Sequence, residues 1–280
     1  MANLRQLRTR VASIKNIQRV TNAMQLVAAA RMRRAQESIT AARPYAQQLD
    51  RVLQRLSGSV DPSSHPLFAD RGGDRTVYVV VTSDRGLCGG FNTNVCRKGF
   101  GIIQKQDSVV AVGRKSRNFF NNRHVAMAGT YVDVFRALSF SQAVAIADDV
   151  KHQFLSGAVD RVALVYNEFV SVAHQMPVVE QLLPIVPKAV EGGSGEEYLF
   201  EPSPEVLLDT LVPRHVNFQV WRALLESNAG EQASRMRAMD NATKNAGDLI
   251  EDLTREMNKQ RQASITLELM DIIGGAEAVA

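Results

Sequence analysis

The chain has 280 residues, of which 45% are hydrophobic, and it carries a formal net charge of +4 at pH 7. This length and composition are typical of one large or two modest globular domains and exclude an intrinsically disordered chain. No apolar run approaches the roughly twenty residues that span a bilayer, and the first residues lack the apolar core of a secretory signal, so we expect no direct membrane insertion.

The positive charge is concentrated in the first segment of the chain. Between residues 1 and 36 there are eight basic residues and no acidic one: Arg5, Arg8, Arg10, Lys15, Arg19, Arg31, Arg33 and Arg34. A block of this kind indicates a solvated helix face or a polyanionic partner, so a basic coiled-coil protein that binds nucleic acid is one functional hypothesis. No aromatic residue is interleaved with these arginines, which argues against single-strand binding by base stacking.

The same segment has the hydrophobic spacing of a long helix. It contains no Gly or Pro before Pro44, and a seam recurs at steps of three and four: Leu4, Leu7, Val11, Ile14, Ile17, Thr21, Met24 and Ala28. This pattern predicts a helix over residues 4–57 with one face prepared for a partner helix. The polar residues Gln18 and Gln25 interrupt the predicted seam.

The middle of the chain alternates predicted strands and helices. Strands are predicted over residues 76–83, 108–112, 161–169 and 176–185, and helices over 92–106, 116–122 and 141–155. This alternation predicts an α/β layer domain with a largely parallel sheet. The loop Ser83–Asn92 follows a strand and opens a helix, but it lacks the Gly-Lys-Ser/Thr of a P-loop and the glycine spacing of a dinucleotide fingerprint. We therefore expect a structural turn and no bound cofactor.

The C-terminal segment again has helical spacing. Residues 214–273 contain no proline, and a second seam of ten residues recurs along residues 220–267: Val220, Leu224, Ala238, Ala242, Ala246, Leu249, Leu253, Met257, Ser264 and Leu267. Two long helices at opposite ends of one chain most simply form an antiparallel coiled coil. The fold prediction is thus a long two-helix coiled coil formed by both termini plus a Rossmann-like α/β domain, divided into residues 1–57, 75–205 and 206–280.

No catalytic or metal-binding constellation is evident. Cys88 and Cys96 have no CxxC spacing and no neighbouring histidine, which predicts free thiols, and the five histidines are scattered. An enzyme built on the α/β domain is therefore the weakest hypothesis, and a mechanical or interactive role is favoured.

Three segments resemble the signatures of the gamma subunit of rotary ATP synthases: Asn16–Gln36, Ser83–Asn92 and Arg261–Ala276. They stand in the order found in that family, and the resemblance covers essentially the whole chain. It implies a non-catalytic rotor shaft inside a hexamer of three alpha and three beta subunits. The implied partners also include the epsilon subunit and the membrane ring of proton-carrying subunits, at the cytoplasmic face of a bacterial inner membrane.

The resemblance also implies three contact sites. Contact with acidic loops of the beta subunits is implied for Met24, Arg31, Arg33, Arg34 and Arg235. A catch between the rotor tip and the catalytic subunits is implied for Gln262, Thr266 and Glu268, and contact of the foot with the ring for Tyr198 and Glu201. Asp240 departs from the lysine that many members of the family carry there.

Overall fold

The computed structural model describes residues 2–59, 65–186 and 203–277. They form two compact units by contact. The helix-pair unit comprises Met1–Ala28 and Arg235–Ala280, and the α/β unit comprises Ala29–Ser234.

Both predicted terminal helices are present. Helix α1 spans Ala2–Ser59, with Pro44 inside it, and helix α5 spans Pro204–Glu277. Helix α5 begins ten residues before the predicted start at residue 214. Proline is well tolerated in the first turn of a helix, where its missing N–H has no intrahelical acceptor, so Pro204 suits the start. Pro213 lies within the helix and does not end it.

The elements between them follow the predicted alternation. Strands are β1 (Thr76–Val81), β2 (Ser108–Val112), β3 (Met127–Tyr131), β4 (Arg161–Phe169) and β5 (Gln175–Leu183). Helices are α2 (Phe91–Phe100), α3 (Arg114–Asn121) and α4 (Phe140–Leu155), and short 3-10 turns occupy Pro66–Phe68 and Val134–Arg136. The sequence did not predict β3, and the predicted helix over residues 92–106 is shorter because Gly101 caps it.

The sheet has the strand order β3-β2-β1-β4-β5. The pairs β1–β2, β1–β4 and β2–β3 are parallel, and β4–β5 is antiparallel. The prediction of an α/β fold with a largely parallel sheet is therefore confirmed. Strand β1 is central, and it is buried on both faces apart from Tyr78.

Helices cover both faces of the sheet. On one face Val95 and Cys96 of α2 and Phe120 of α3 pack against Val80 and Val109. The opposite face packs against α4 and against the parts of α1 and α5 that belong to the α/β unit, with Leu56, Ile146 and Leu224 fully buried. This arrangement leaves the carboxyl ends of β1, β2 and β3 at one edge, where ligands bind in doubly wound folds.

Candidate functional site

The helix-pair unit has a seven-residue repeat of shielded positions. On α1 the shielded residues that follow this repeat are Leu4, Leu7, Val11, Ile14, Gln18, Thr21, Gln25 and Ala28. On α5 the repeat continues through Met239, Thr243, Ala246, Ile250, Leu253, Met257, Gln260 and Ser264. Spacings of three and four in strict alternation are those of a coiled-coil seam. The predicted coiled coil is present; on α1 six of the eight predicted seam positions are confirmed, and the seam differs from the prediction at Ile17 and Met24.

The seam contains Gln18 in place of the predicted Ile17 and Gln25 in place of the predicted Met24. Ile17 is 49% exposed, whereas Gln18 is partly shielded, and Leu249 and Leu267 on the other helix are also exposed. The heptad register of the whole helix decides this placement, because moving Ile17 into the seam would break the alternation that Val11, Ile14 and Thr21 share. The seam glutamines are thus part of the contact between the two helices.

Polar contacts cross the seam and fix the helices as antiparallel. The hydroxyl oxygens of Thr21 and Thr243 are 2.7 Å apart, and Gln25 Nε2 donates to Asp240 Oδ1 at 3.1 Å. The partner number falls as the residue number rises, which defines an antiparallel pair. Asp240 also binds Lys244 Nζ one turn later at 2.7 Å. The Asp240 carboxylate therefore binds within the helix pair and accepts a hydrogen bond from a partly buried seam amide.

Apolar side chains outside the seam are exposed on α1. Ile17, Val20, Leu26 and Val27 are each about half exposed or more, and Met24 between them is half-buried. Ile17, Val20, Met24 and Val27 recur at steps of three and four and so share one face of the helix. A grouped apolar face of this kind marks a surface for another chain.

The end of α5 is also apolar and exposed. Six large apolar side chains between residues 265 and 273 are 48 to 67% exposed: Ile265, Leu267, Leu269, Met270, Ile272 and Ile273. Gln262, Thr266 and Glu268 lie beside them and are exposed. Thr266 Oγ1 donates to the Gln262 carbonyl at 2.9 Å, and Ser264 Oγ donates to Glu268 at 3.3 Å. The remaining hydrogen-bonding capacity of these side chains faces outward.

The two units carry different members of the predicted beta-subunit contact. The helix-pair unit contains Met24 and the half-buried Arg235, whereas Arg31, Arg33 and Arg34 belong to the α/β unit and are exposed. Arg33 pairs with Glu37 at 3.5 Å within the same helix. The predicted ring contacts Tyr198 and Glu201 lie outside the described residues.

The loop Ser83–Asn92 is held by its own side chains. The Asn92 amide oxygen accepts from Ser83 N at 2.8 Å, and its Nδ2 donates to Ser83 Oγ at 2.8 Å and to the Arg85 carbonyl at 3.3 Å. Leu87 and Gly89 adopt positive φ to close the turn. These contacts fit the predicted structural turn, because the side chains of Ser83 and Asn92 bind within the loop itself. Cys96 nearby is buried, and burial raises the pKa of its thiol to about 12.

A partly buried ionic network lies between α5 and the strands β4 and β5. Arg222 Nη2 donates to both Glu180 oxygens, and Tyr166 OH donates to Glu180 at 3.0 Å. Glu226 is the neighbouring carboxylate, and burial raises its pKa while the Arg222 charge opposes that rise. Sequence reasoning missed this network because its members come from three separate elements.

A cleft of about 960 Å³ lies at the carboxyl ends of β1, β2 and β3 within the α/β unit. Arg31 and Arg34 of α1 line one side, and Arg85, Arg114 and Arg136 come from the segments that follow β1, β2 and β3. Arg31 and Arg34 were predicted from the sequence to be contact residues, but the other three arginines were not. No run of charge joins those three in sequence, and only the strand order brings them together.

Among the residues that the structure describes, no group of three or more His, Cys, Asp or Glu side chains is placed to hold a metal ion. None of the helices in these ranges is both long and apolar enough to cross a bilayer.

The helix pair has exposed apolar faces, and the α/β unit is a Rossmann-like layer whose glycine-rich loop is closed by its own hydrogen bonds. These features are typical of a protein that acts through contact with partner chains. A sequence model of a family described as ATP synthase matches residues 3–279. The ATP synthase gamma chain of Chlorobium phaeobacteroides is 45% identical over 289 residues, covering 100% of this chain and 99% of the relative. That of Desulforamulus reducens is 46% identical over 282 residues and covers both chains fully.

A solved structure shares the fold. The rotor of the Euglena gracilis mitochondrial ATP synthase aligns with a TM-score of 0.71 at 21% identity, covering 94% of this chain and 99% of that one. The chain belongs to the ATP synthase gamma-chain family. It is a non-catalytic subunit of the central stalk of a rotary ATP synthase, and nothing in these comparisons supports the nucleic-acid hypothesis.

Proposed function

We propose that this chain is the rotating shaft of a proton-translocating ATP synthase at the cytoplasmic face of a bacterial inner membrane. Its partners would be a hexamer of three alpha and three beta subunits, the epsilon subunit and the ring of proton-carrying subunits. In this proposal residues 1–57 and 206–280 form the shaft and residues 75–205 form the foot. The observation that carries the proposal is the exposed apolar surface of the helix-pair unit.

The apolar surface of the helix-pair unit extends beyond the seam through which its two helices contact each other. The seam already buries or shields one heptad face of each helix, yet Ile17, Val20 and Val27 remain exposed on α1 and six apolar residues remain exposed near the end of α5. Burying a side chain of this size stabilises an assembly by about 1.5–3 kcal/mol. A surrounding collar of subunits would gain this free energy, and apolar contact has no fixed direction, so it allows turning.

The arginines would add a long-range attraction to acidic loops of the beta subunits. Arg31, Arg33 and Arg34 are exposed, and an exposed ion pair contributes only about 0.2–1 kcal/mol. Weak individual pairs suit a contact that must form and release in each step. Met24 and Arg235 are proposed for the same contact from the helix-pair unit.

The catch at the tip would use Gln262, Thr266 and Glu268. Each side chain is exposed and retains outward hydrogen-bonding capacity, since its contacts inside the helix use only part of it. Tyr198 and Glu201 remain proposed ring contacts on the strength of the family resemblance alone.

Native mass spectrometry of the tagged chain, purified from its own host, tests this proposal. We expect one copy of the chain with three copies of each of two larger P-loop subunits, together with epsilon and ring subunits. Recovery of the chain alone, with steeply salt-dependent binding to duplex DNA, would instead support the nucleic-acid hypothesis.

A further inference from the structure

The cleft at the carboxyl ends of the strands has a rigid charged rim. Asp84, which follows β1, accepts hydrogen bonds from Arg114 N and from Asp133 N, both at 3.0 Å. One carboxylate thus ties together the loops that follow β1, β2 and β3. The backbone at Arg85 is fixed as well, because its carbonyl accepts from Ser83 Oγ at 2.6 Å and from Asn92 Nδ2. The backbone of these loops is therefore fixed before any ligand arrives.

The rim has an excess of positive charge. Five arginines line the cleft with three acidic residues, Asp84, Asp133 and Glu231. Asp84 is occupied by two backbone N–H groups, and Asp133 is paired with Arg114. Within the described ranges, the guanidinium groups of four lining residues have no ion-pair partner: Arg31, Arg34, Arg85 and Arg136. Guanidinium groups converging on one cleft favour a phosphate, which accepts two hydrogen bonds from each.

The floor of the cleft points to a ligand larger than a phosphate ion. Ala35 and Leu225 are buried there, and the Trp221 ring lines the wall. Gln232 is only 6% exposed, and its Oε1 accepts no hydrogen bond from the part of the chain that the structure describes. A buried acceptor without a donor is costly, so the site suits a hydroxyl or amino group of a ligand.

We propose that this cleft binds a small organic phosphate, a nucleotide-sized compound that presents phosphate to the arginines and a hydroxyl or amino donor to Gln232. The volume of about 960 Å³ accommodates such a compound. The site differs from a P-loop because side-chain guanidinium groups, rather than the backbone amides of the glycine-rich loop, hold the phosphate. Arg31 and Arg34 are shared with the proposed beta-subunit contact, but this inference does not need that contact, because ligand binding is measured on the chain alone.

Trp221 is the only tryptophan of the chain and lines the cleft, so its emission reports on this site. The full chain is titrated with ADP, with pyrophosphate and with adenosine while Trp221 fluorescence is recorded. We expect a saturable change with ADP, a weaker-binding one with pyrophosphate and none with adenosine, and we expect weaker binding as salt increases. No saturable change with millimolar ADP, or an equal response to adenosine, would overturn the proposal.

Variants of single residues test whether the ligand binds in this cleft. Arg85→Gln and Arg136→Gln should each weaken ADP binding about tenfold, because a hydrogen bond to a charged group is lost. Gln232→Leu should weaken ADP binding but leave pyrophosphate binding unchanged. Arg117→Gln, an exposed arginine that does not line the cleft, is the control and should bind as the wild type does. Wild-type affinity in both Arg85→Gln and Arg136→Gln, or an equal loss in the control, would contradict the assignment.

Discussion

Replacing the three proposed catch residues with alanine distinguishes the loss of a partner contact from a loss of helix stability. Gln262, Thr266 and Glu268 are exposed, and their contacts run along their own helix. Alanine has the highest helix propensity, by at most about 0.7 kcal/mol per residue over these types. The triple variant should therefore keep α5 folded and stabilise it slightly.

The triple variant should change the rate of ATP hydrolysis more than it changes the stability of the helix. A hydrogen bond to a partner contributes about 0.5–1.5 kcal/mol, so three would contribute roughly 1.5–4.5 kcal/mol over the cycle. If a third of that free energy acts on the slowest step, the barrier changes by about 1 kcal/mol and turnover falls about fivefold.

The assay is steady-state ATP hydrolysis by the assembled complex, normalised to the amount of complex recovered. Alanine at Glu256, Asn258 and Lys259 is the matched control, since these exposed polar residues lie on the same helix outside the proposed catch. Turnover and assembly at wild-type levels in the catch variant would refute the catch, as would an equal loss in the control.

Three further predictions concern the rest of the chain. Met24→Lys should reduce proton pumping more than ATP hydrolysis on the same membranes, because an added cation strengthens a contact that must release; equal losses would count against the contact. Gly113 has φ +93°, and a Cβ there would lie 2.2 Å from the Thr82 carbonyl oxygen, whereas Gly72 (φ +66°) has open space. Gly113→Ala should therefore lower the free energy of unfolding about 2–4 kcal/mol more than Gly72→Ala in urea titrations followed by Trp221 emission, and equal effects would show that the clash is absent. Burial raises the pKa of Glu226 above 4.5, so its stabilising contribution is present below pH 4.5 and is lost as pH rises through the folded-state pKa. Glu226→Gln should therefore unfold at higher urea than the wild type at pH 8, with the difference shrinking towards pH 4.5; a pH-independent difference would contradict this.

The sequence pattern predicted elements well where local signals were strong. Strands β2 and β4 match their predicted bounds, because runs such as Ser108–Val112 are continuous apolar segments between turn residues. Strand β3 was missed because Met127–Tyr131 contains Ala and Gly, which have weak strand propensity, and its pairing with β2 decides its conformation. Local propensity thus gave way to tertiary pairing.

The candidate sites were less predictable than the elements. The seam register was wrong at Ile17 because apolarity alone ranked it above Gln18, although the heptad spacing of the neighbouring residues favours Gln18. Arg85 and Arg136 share a cleft only because β1 and β3 are both parallel to β2 and end at one edge. That proximity depends on strand order, which no short segment of sequence encodes.

Single-molecule rotation shows whether this chain turns against the catalytic subunits. Cys88 and Cys96 are buried, so a cysteine introduced at the exposed Lys105 would be the reactive thiol for attaching a bead to the chain. The catalytic subunits of the host ATP synthase are immobilised. We expect ATP to drive the bead in stepwise rotation in one direction, and we expect the rotation to stop when ATP is removed. A bead that stays fixed while the same complexes hydrolyse ATP would contradict the assignment of this chain as the shaft.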